Sequence, residues 1–118
     1  MILHVEIPAN DLDRAIAFYG KVLGTAFAEP VDLHESRMAY AEVSGEGTSW
    51  ALCQGEVYVP TQNGAILYFV VDAIDATIET ARSLGSDILF PKTALADGSF
   101  VAEISDSEGN RVALQSRT

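Results

Sequence analysis

The sequence predicts an α+β domain made of two βαβββ modules in tandem, one over residues 1–60 and one over 61–118. Three observations predict it. The chain echoes itself at a nearly constant offset, each half passes from strand periodicity to helix periodicity and back, and a glycine closes both helical stretches at matching places. "AYAEVSGEGTSWALCQ" (39–54) is echoed by "FVAEISDSEGNRVALQS" (100–116) with one residue inserted, which aligns Ala41 with Ala102, Glu42 with Glu103 and Leu52 with Leu114. "ANDLDRAIAFYGKVLGTAFAEP" (9–30) is echoed by "VDAIDATIETARSLGSDILFP" (71–91) with one residue deleted. The offset stays at 61 or 62 across most of both halves.

Each element has a local cause. "ILHVEI" alternates apolar and polar residues and reads as the first strand. The first helix starts at a cap, Asn10 or Asp11, and carries Leu12, Ala15, Ile16, Tyr19, Val22 and Leu23 on one face before Gly24 ends it. Short strands follow near 25–29, 36–43 and 48–54. The second module opens on the near-continuous apolar strand "GAILYFVV", then a helix with Ile74, Ile78, Ala81 and Leu84 closed by Gly85. Its remaining strands fall near 87–90, 99–105 and 111–116. The "EGT" and "SEGN" segments read as hairpin turns, because Gly and Asn tolerate positive φ.

Composition bounds the function. At 118 residues with 48% apolar and 20% charged content, a single globular domain over 1–118 is expected. The longest apolar run, "AILYFVV" at 65–71, is too short to cross a bilayer as a helix, and no basic stretch precedes an apolar segment at the start. No membrane partner and no secretory signal are therefore expected. The single cysteine, Cys53, excludes an internal disulfide and suits a reducing, cytoplasmic location. A net charge of −10 repels phosphate backbones, so no nucleic-acid partner is expected.

Two stretches, "HVEIPANDLDRAIAFYGKVLG" and "ISDSEGNRVAL", resemble the strand–helix opening and the closing D-x-x-G-N hairpin of the vicinal oxygen chelate superfamily. That group holds glyoxalase I, the bleomycin resistance proteins and extradiol dioxygenases, and the likeness covers nearly the whole chain. It implies a mixed sheet curling around a cavity with the helices outside, a small-molecule ligand and a homodimer. In the family's metal enzymes the first and fourth strands of each module supply the ligands. Those four positions here hold His4, Ala51, Ile66 and Ala113. Alanine and isoleucine have no lone pair to offer, so no metal and no cofactor is expected. His34 is the other histidine and falls in a loop outside this frame.

Alternation sorts each strand into two faces. Leu3, Val5, Ile7, Ala39, Ala41 and Val43 should pack under a helix, with Trp50 and Leu52. So should Leu67, Phe69, Val71, Phe100, Ala102, Ile104, Val112 and Leu114. The opposite face then carries the candidate ligand-binding residues His4, Met38, Tyr40, Glu42, Cys53, Ile66, Tyr68, Glu103, Arg111 and Gln115. Ile2, Glu6, Ser49, Ala51, Val70, Val101 and Ala113 share that face. Cys53 reads as a small buried hydrophobe, and His4 as a hydrogen-bonding wall residue with a catalytic role as its rival. The echo makes Glu42 and Glu103 pseudo-symmetric partners. They form either an acidic pocket for cationic, partly aromatic compounds or a pair of solvated rim carboxylates.

Two functional classes lead, ahead of a subunit whose site another protein completes. One is a metal-independent binding protein, sequestering a toxic or antibiotic compound as the likeness to bleomycin resistance proteins implies. The other is a glyoxalase-like lyase or isomerase using His4 or a cavity carboxylate as base without the usual metal.

Overall fold

The computed structural model describes residues 1–117. Its first module runs β1 (His4–Pro8), α1 (Leu12–Leu23), β2 (Val31–Leu33), β3 (Ser36–Tyr40) and β4 (Ser49–Gln54). The second runs β5 (Tyr68–Val70), α2 (Ile74–Ser83), β6 (Ile88–Ala94), β7 (Phe100–Ser105) and β8 (Arg111–Ser116). Each module is a four-stranded mixed sheet, ordered β1-β4-β3-β2 and β5-β8-β7-β6. The opening strand lies parallel to the closing one, and the other pairs are antiparallel. The predicted α+β class and tandem βαβββ plan hold, but the sheets do not close on themselves.

The helices begin and end where local chemistry asks. Asp11 is extended at φ −136° and accepts a hydrogen bond from Arg14 N at 3.0 Å, while Gly24 ends α1 at φ 70°. The second helix starts at Ala73 without a side-chain cap and ends through Leu84 into Gly85, at φ 91°. Their apolar faces meet one shared core. Leu12, Ala15, Phe18, Tyr19 and Val22 of α1 join Ile74, Ile78 and Ala81 of α2 against Ile7, Ala39, Leu52, Ala102, Ile104, Val112 and Leu114. Trp50 of the first sheet and Phe69 of the second lie 5.1 Å apart between ring centroids, with Tyr19 5.6 Å and 6.1 Å from them. Each fully buried large apolar side chain here stabilises the fold by about 1.5–3 kcal/mol.

Several expectations need correction. The strand expected near 25–29 is reduced to one bridge, Phe27 to Ala41, flanked by Ala28 N to Tyr40 O and Glu42 N to Ala26 O. The regular second strand lies later, at Val31–Leu33, and turns into β3 through His34 and Glu35 at φ 51° and 63°. "GAILYFVV" forms a regular strand only over Tyr68–Val70, with Phe69 packed against the core and Tyr68 and Val70 exposed. Leu3 precedes β1 and Val43 follows β3, so both are exposed rather than packed.

The repeat alignment also shifts. Glu6 faces Ala51 in the first module and Tyr68 faces Ala113 in the second, so β1 and β4 repeat at an offset of 62. Tyr40 faces Ala51 as Glu103 faces Ala113, so the third strand repeats at 63. The counterpart of Glu103 is Tyr40, not Glu42. The echo slipped by two residues, which preserved the face but lost the partner.

A polar cluster ties the second module to the first. Glu108, whose side chain is fully buried, accepts from the backbone N–H of Asn10 at 2.9 Å and Asp11 at 2.7 Å, and from Arg14 Nε at 2.8 Å. Burial pushes its carboxyl up, but hydrogen bonds from Arg14, Ser107 and the Asp11 backbone outweigh that and hold it below its ordinary value of 4.5. Buried Asp106 beside it accepts from Tyr19 Oη at 2.6 Å, and burial with this charged neighbour raises the Tyr19 phenol well above its ordinary range. Glu108→Ala should cost roughly 1–3 kcal/mol in chemical denaturation, since two backbone donors lose their acceptor while the half-exposed Arg14 guanidinium returns to water. A folded carboxyl held low contributes stability that is present above the ordinary 4.5 and lost as pH falls through the lowered value. Acid unfolding of the wild type should therefore be steep below that pH and shallower in Glu108→Gln. Superimposable acid curves for the two proteins would count against this role.

Candidate functional site

The faces of both sheets away from the helices are open, and the sequence-assigned residues distribute over them unevenly. On the first sheet His4, Glu6, Tyr40, Ser49 and Cys53 share the face by alternation along β1, β3 and β4. His4 Nδ1 lies 2.6 Å from Ser49 Oγ, and its Nε2 lies 3.5 Å from Glu6 Oε2. The His4 and Tyr40 rings are tilted together at 5.9 Å. Both imidazole nitrogens are thereby engaged, which orients the ring.

Sequence sorting missed one contributor, Tyr58, because it belongs to the irregular linker between β4 and β5, where alternation carries no information. Its hydroxyl donates to Glu6 Oε1 at 2.7 Å, and its ring packs over a small buried cluster of Met38, Ala51 and Cys53. The hydrogen bond to Glu6, with burial, raises the Tyr58 phenol above its usual range. Gly55 lets the linker start: a Cβ there would meet Ser36 Oγ at 2.5 Å. A lone aromatic in a glycine- and proline-flanked linker was the available signal.

The other candidates fall into separate groups. Glu103 is paired with Arg111 at 2.6 Å. Gln115 Nε2 donates to Ser99 Oγ at 3.2 Å. Ile66, Tyr68 and Val70 leave an apolar stripe 39%, 53% and 71% exposed, beside a groove of about 320 Å³ that Tyr68 and Val70 line with Ile2, Val5 and Trp50. Glu42 lies past the end of β3 and is exposed. Of the two alternatives for Glu42 and Glu103, the paired acidic pocket is not formed: Glu103 is ion-paired with Arg111, and Glu42 is a solvated carboxylate beyond the strand end.

The four positions of the metal frame are His4 and Ala51 on the first sheet, Ile66 just before β5, and Ala113 on β8. Ala51 and Ala113 are wholly buried, and neither they nor Ile66 has a donor atom. Among the described residues no three His, Cys, Asp or Glu side chains converge. These residues do not fit the metal centre of the family's metal enzymes.

Cys53 is wholly buried, and its thiol is pushed up to about 12, by burial first and the Glu6 charge second. As the chain's single cysteine it reports on Tyr58 directly. Ellman's reagent should leave the native thiol unreacted at mildly alkaline pH until the protein unfolds, and Tyr58→Ala should speed the reaction by opening the cluster. Full-rate labelling of the native protein would contradict this packing.

Comparison with known proteins agrees with the geometry. The family model described as Glyoxalase/Bleomycin resistance protein/Dioxygenase superfamily matches residues 1–114. A glyoxylase-like domain-containing protein of Didymella fabae is 31% identical, covering 99% of this chain and 98% of its own. A glyoxalase family protein of Bacillus cereus shares the fold at a TM-score of 0.82 and 15% identity, covering 98% of this chain and 92% of that one. A mutant of glyoxalase I from Zea mays does so at 0.74 and 20%, over 98% of this chain, which spans 45% of that one. The chain belongs to the Glyoxalase/Bleomycin resistance protein/Dioxygenase superfamily.

Proposed function

We propose that this protein is a metal-independent small-molecule-binding member of its superfamily, acting by sequestering a toxic or antibiotic compound. One observation carries the reading: of the four strand positions that form the metal frame, His4 alone has a lone pair, and Ser49 and Glu6 already engage its ring. Without a Lewis acid, an enolising reaction loses several kcal/mol of transition-state stabilisation that one side chain does not replace. The open faces instead offer aromatic wall with a few polar groups, the ordinary make-up of a ligand site. The exposed stripe of Ile66, Tyr68 and Val70 supports the further reading that a second copy covers it, as a homodimer.

A second reading rests on His4: Ser49 orients its ring at Nδ1, while Nε2, 3.5 Å from Glu6, is held loosely enough to take a substrate proton as general base. It makes the protein a lyase or isomerase acting on a carbonyl compound.

After dialysis the purified protein should carry no stoichiometric transition metal and should not turn over the methylglyoxal–glutathione hemithioacetal. One zinc or nickel per chain would overturn the reading. Ala51→Glu, Ile66→His and Ala113→Glu together should create metal affinity by completing the donor set. Light scattering should give twice the 12.6 kDa chain mass, and the monomer mass would remove the dimer. The enzyme reading predicts deuterium uptake from heavy water into a carbonyl substrate, abolished by His4→Asn.

A further inference from the structure

Glu6 stands apart from the other charges near the open faces. Among the described residues no arginine or lysine pairs with it, whereas Glu103 is neutralised by Arg111 at 2.6 Å. Its carboxylate is held in place: Tyr58 donates to Oε1 at 2.7 Å, and Oε2 faces His4 Nε2 at 3.5 Å. His4 in turn is steadied by Ser49 at 2.6 Å. At 35% exposure the Glu6 side chain is reachable from solvent. It lines a groove of about 180 Å³ with Pro8, Leu67 and Val112. Arg111 also lines that groove, but its guanidinium is committed to Glu103 and to Gln62 O at 3.3 Å.

We propose that Glu6 anchors a site for small primary or secondary amines, with the ammonium donating to Oε2 and the apolar body lying along the groove. The inference rests on the small-molecule reading above and names the ligand class. The groove has room for roughly ten non-hydrogen atoms at the density of protein interiors. An ammonium gains a charge-assisted hydrogen bond about twice as strong as a neutral one, while a carboxylate ligand meets repulsion at the same atom. The net charge of −10 adds long-range attraction for cations. Tyr58 is a positioning residue: by holding Oε1 it aims Oε2 before the ligand arrives, which lowers the ordering cost of binding. His4 supplies a neighbouring nitrogen rather than the anchor.

The test is an amide NMR titration of the full chain with three matched probes: 2-phenylethylamine, 2-phenylethanol and 3-phenylpropionate. The amine should perturb His4, Glu6, Ser49 and Tyr58 with an affinity about tenfold tighter than the alcohol, decreasing as salt rises. Glu6→Gln should erase the difference between amine and alcohol. Tyr58→Phe keeps the ring, so it should weaken the amine several-fold and leave the alcohol unchanged, a split that loss of packing alone would not produce. Equal or tighter binding of the alcohol or the carboxylate at these residues overturns the amine site while the small-molecule reading stands. Undiminished amine binding in Glu6→Gln overturns the anchor. No perturbation by any probe overturns both.

Discussion

The buried carboxylate of Glu108 is the constraint on which the arrangement of the two modules depends. It sits in the closing hairpin of the second module yet satisfies the backbone N–H groups of Asn10 and Asp11 at the start of the first helix. A buried charge is tolerated only when its hydrogen-bond capacity is filled. Here two backbone donors, Arg14 and the Ser107 hydroxyl fill it. Around it, Asn110 Nδ2 reaches Pro8 O at 2.8 Å and Asp106 takes the Tyr19 hydroxyl, so strand, helix and hairpin are locked at one junction. Apolar burial is non-directional and sets how strongly the modules adhere. This polar junction sets at which angle and register they do so.

That locking has a consequence for the site. With the helix-side faces joined through Tyr19, Trp50 and Phe69, the remaining faces have no helix over them and are covered only by side chains. Small side chains at Ala51 and Ala113 lie where longer ones would carry donors, and they leave room above them. In the first module that room is taken by Tyr58, swung in from the linker. In the second, Glu103 and Arg111 span it as an ion pair. The two modules thus cover the same face differently, with an aromatic ring over a small apolar cluster in one and an ion pair in the other.

The asymmetry also explains why one carboxylate among several remains poised. Pairing with Arg111 fixes Glu103 electrostatically, whereas Glu6 is oriented by a phenol and an imidazole that satisfy its geometry without a permanent cation. Preorganisation without neutralisation is what distinguishes a binding carboxylate from a structural one such as Glu108.

The sequence by itself determined what local periodicity and turn chemistry can carry. Alternation sorted Val5, Ile7, Ala39, Leu52, Phe69, Ile104 and Leu114 onto the buried face, and Asp11, Gly24 and Gly85 marked helix ends, because strand and helix geometry repeat every two and 3.6 residues whatever surrounds them. Tertiary structure alone decided the rest. Register is a long-range property: identity between "AEV" and "AEI" could not reveal that Tyr40, not Glu42, occupies the place of Glu103, since a two-residue slip leaves every side chain on its proper face. Nor could periodicity place Tyr58, whose linker has none, or show that Glu108 bonds to residues nearly one hundred positions away. Pairing energies between distant groups appear only once the core has brought them together, so the face of a residue within a regular strand was legible in the sequence and its partner was not.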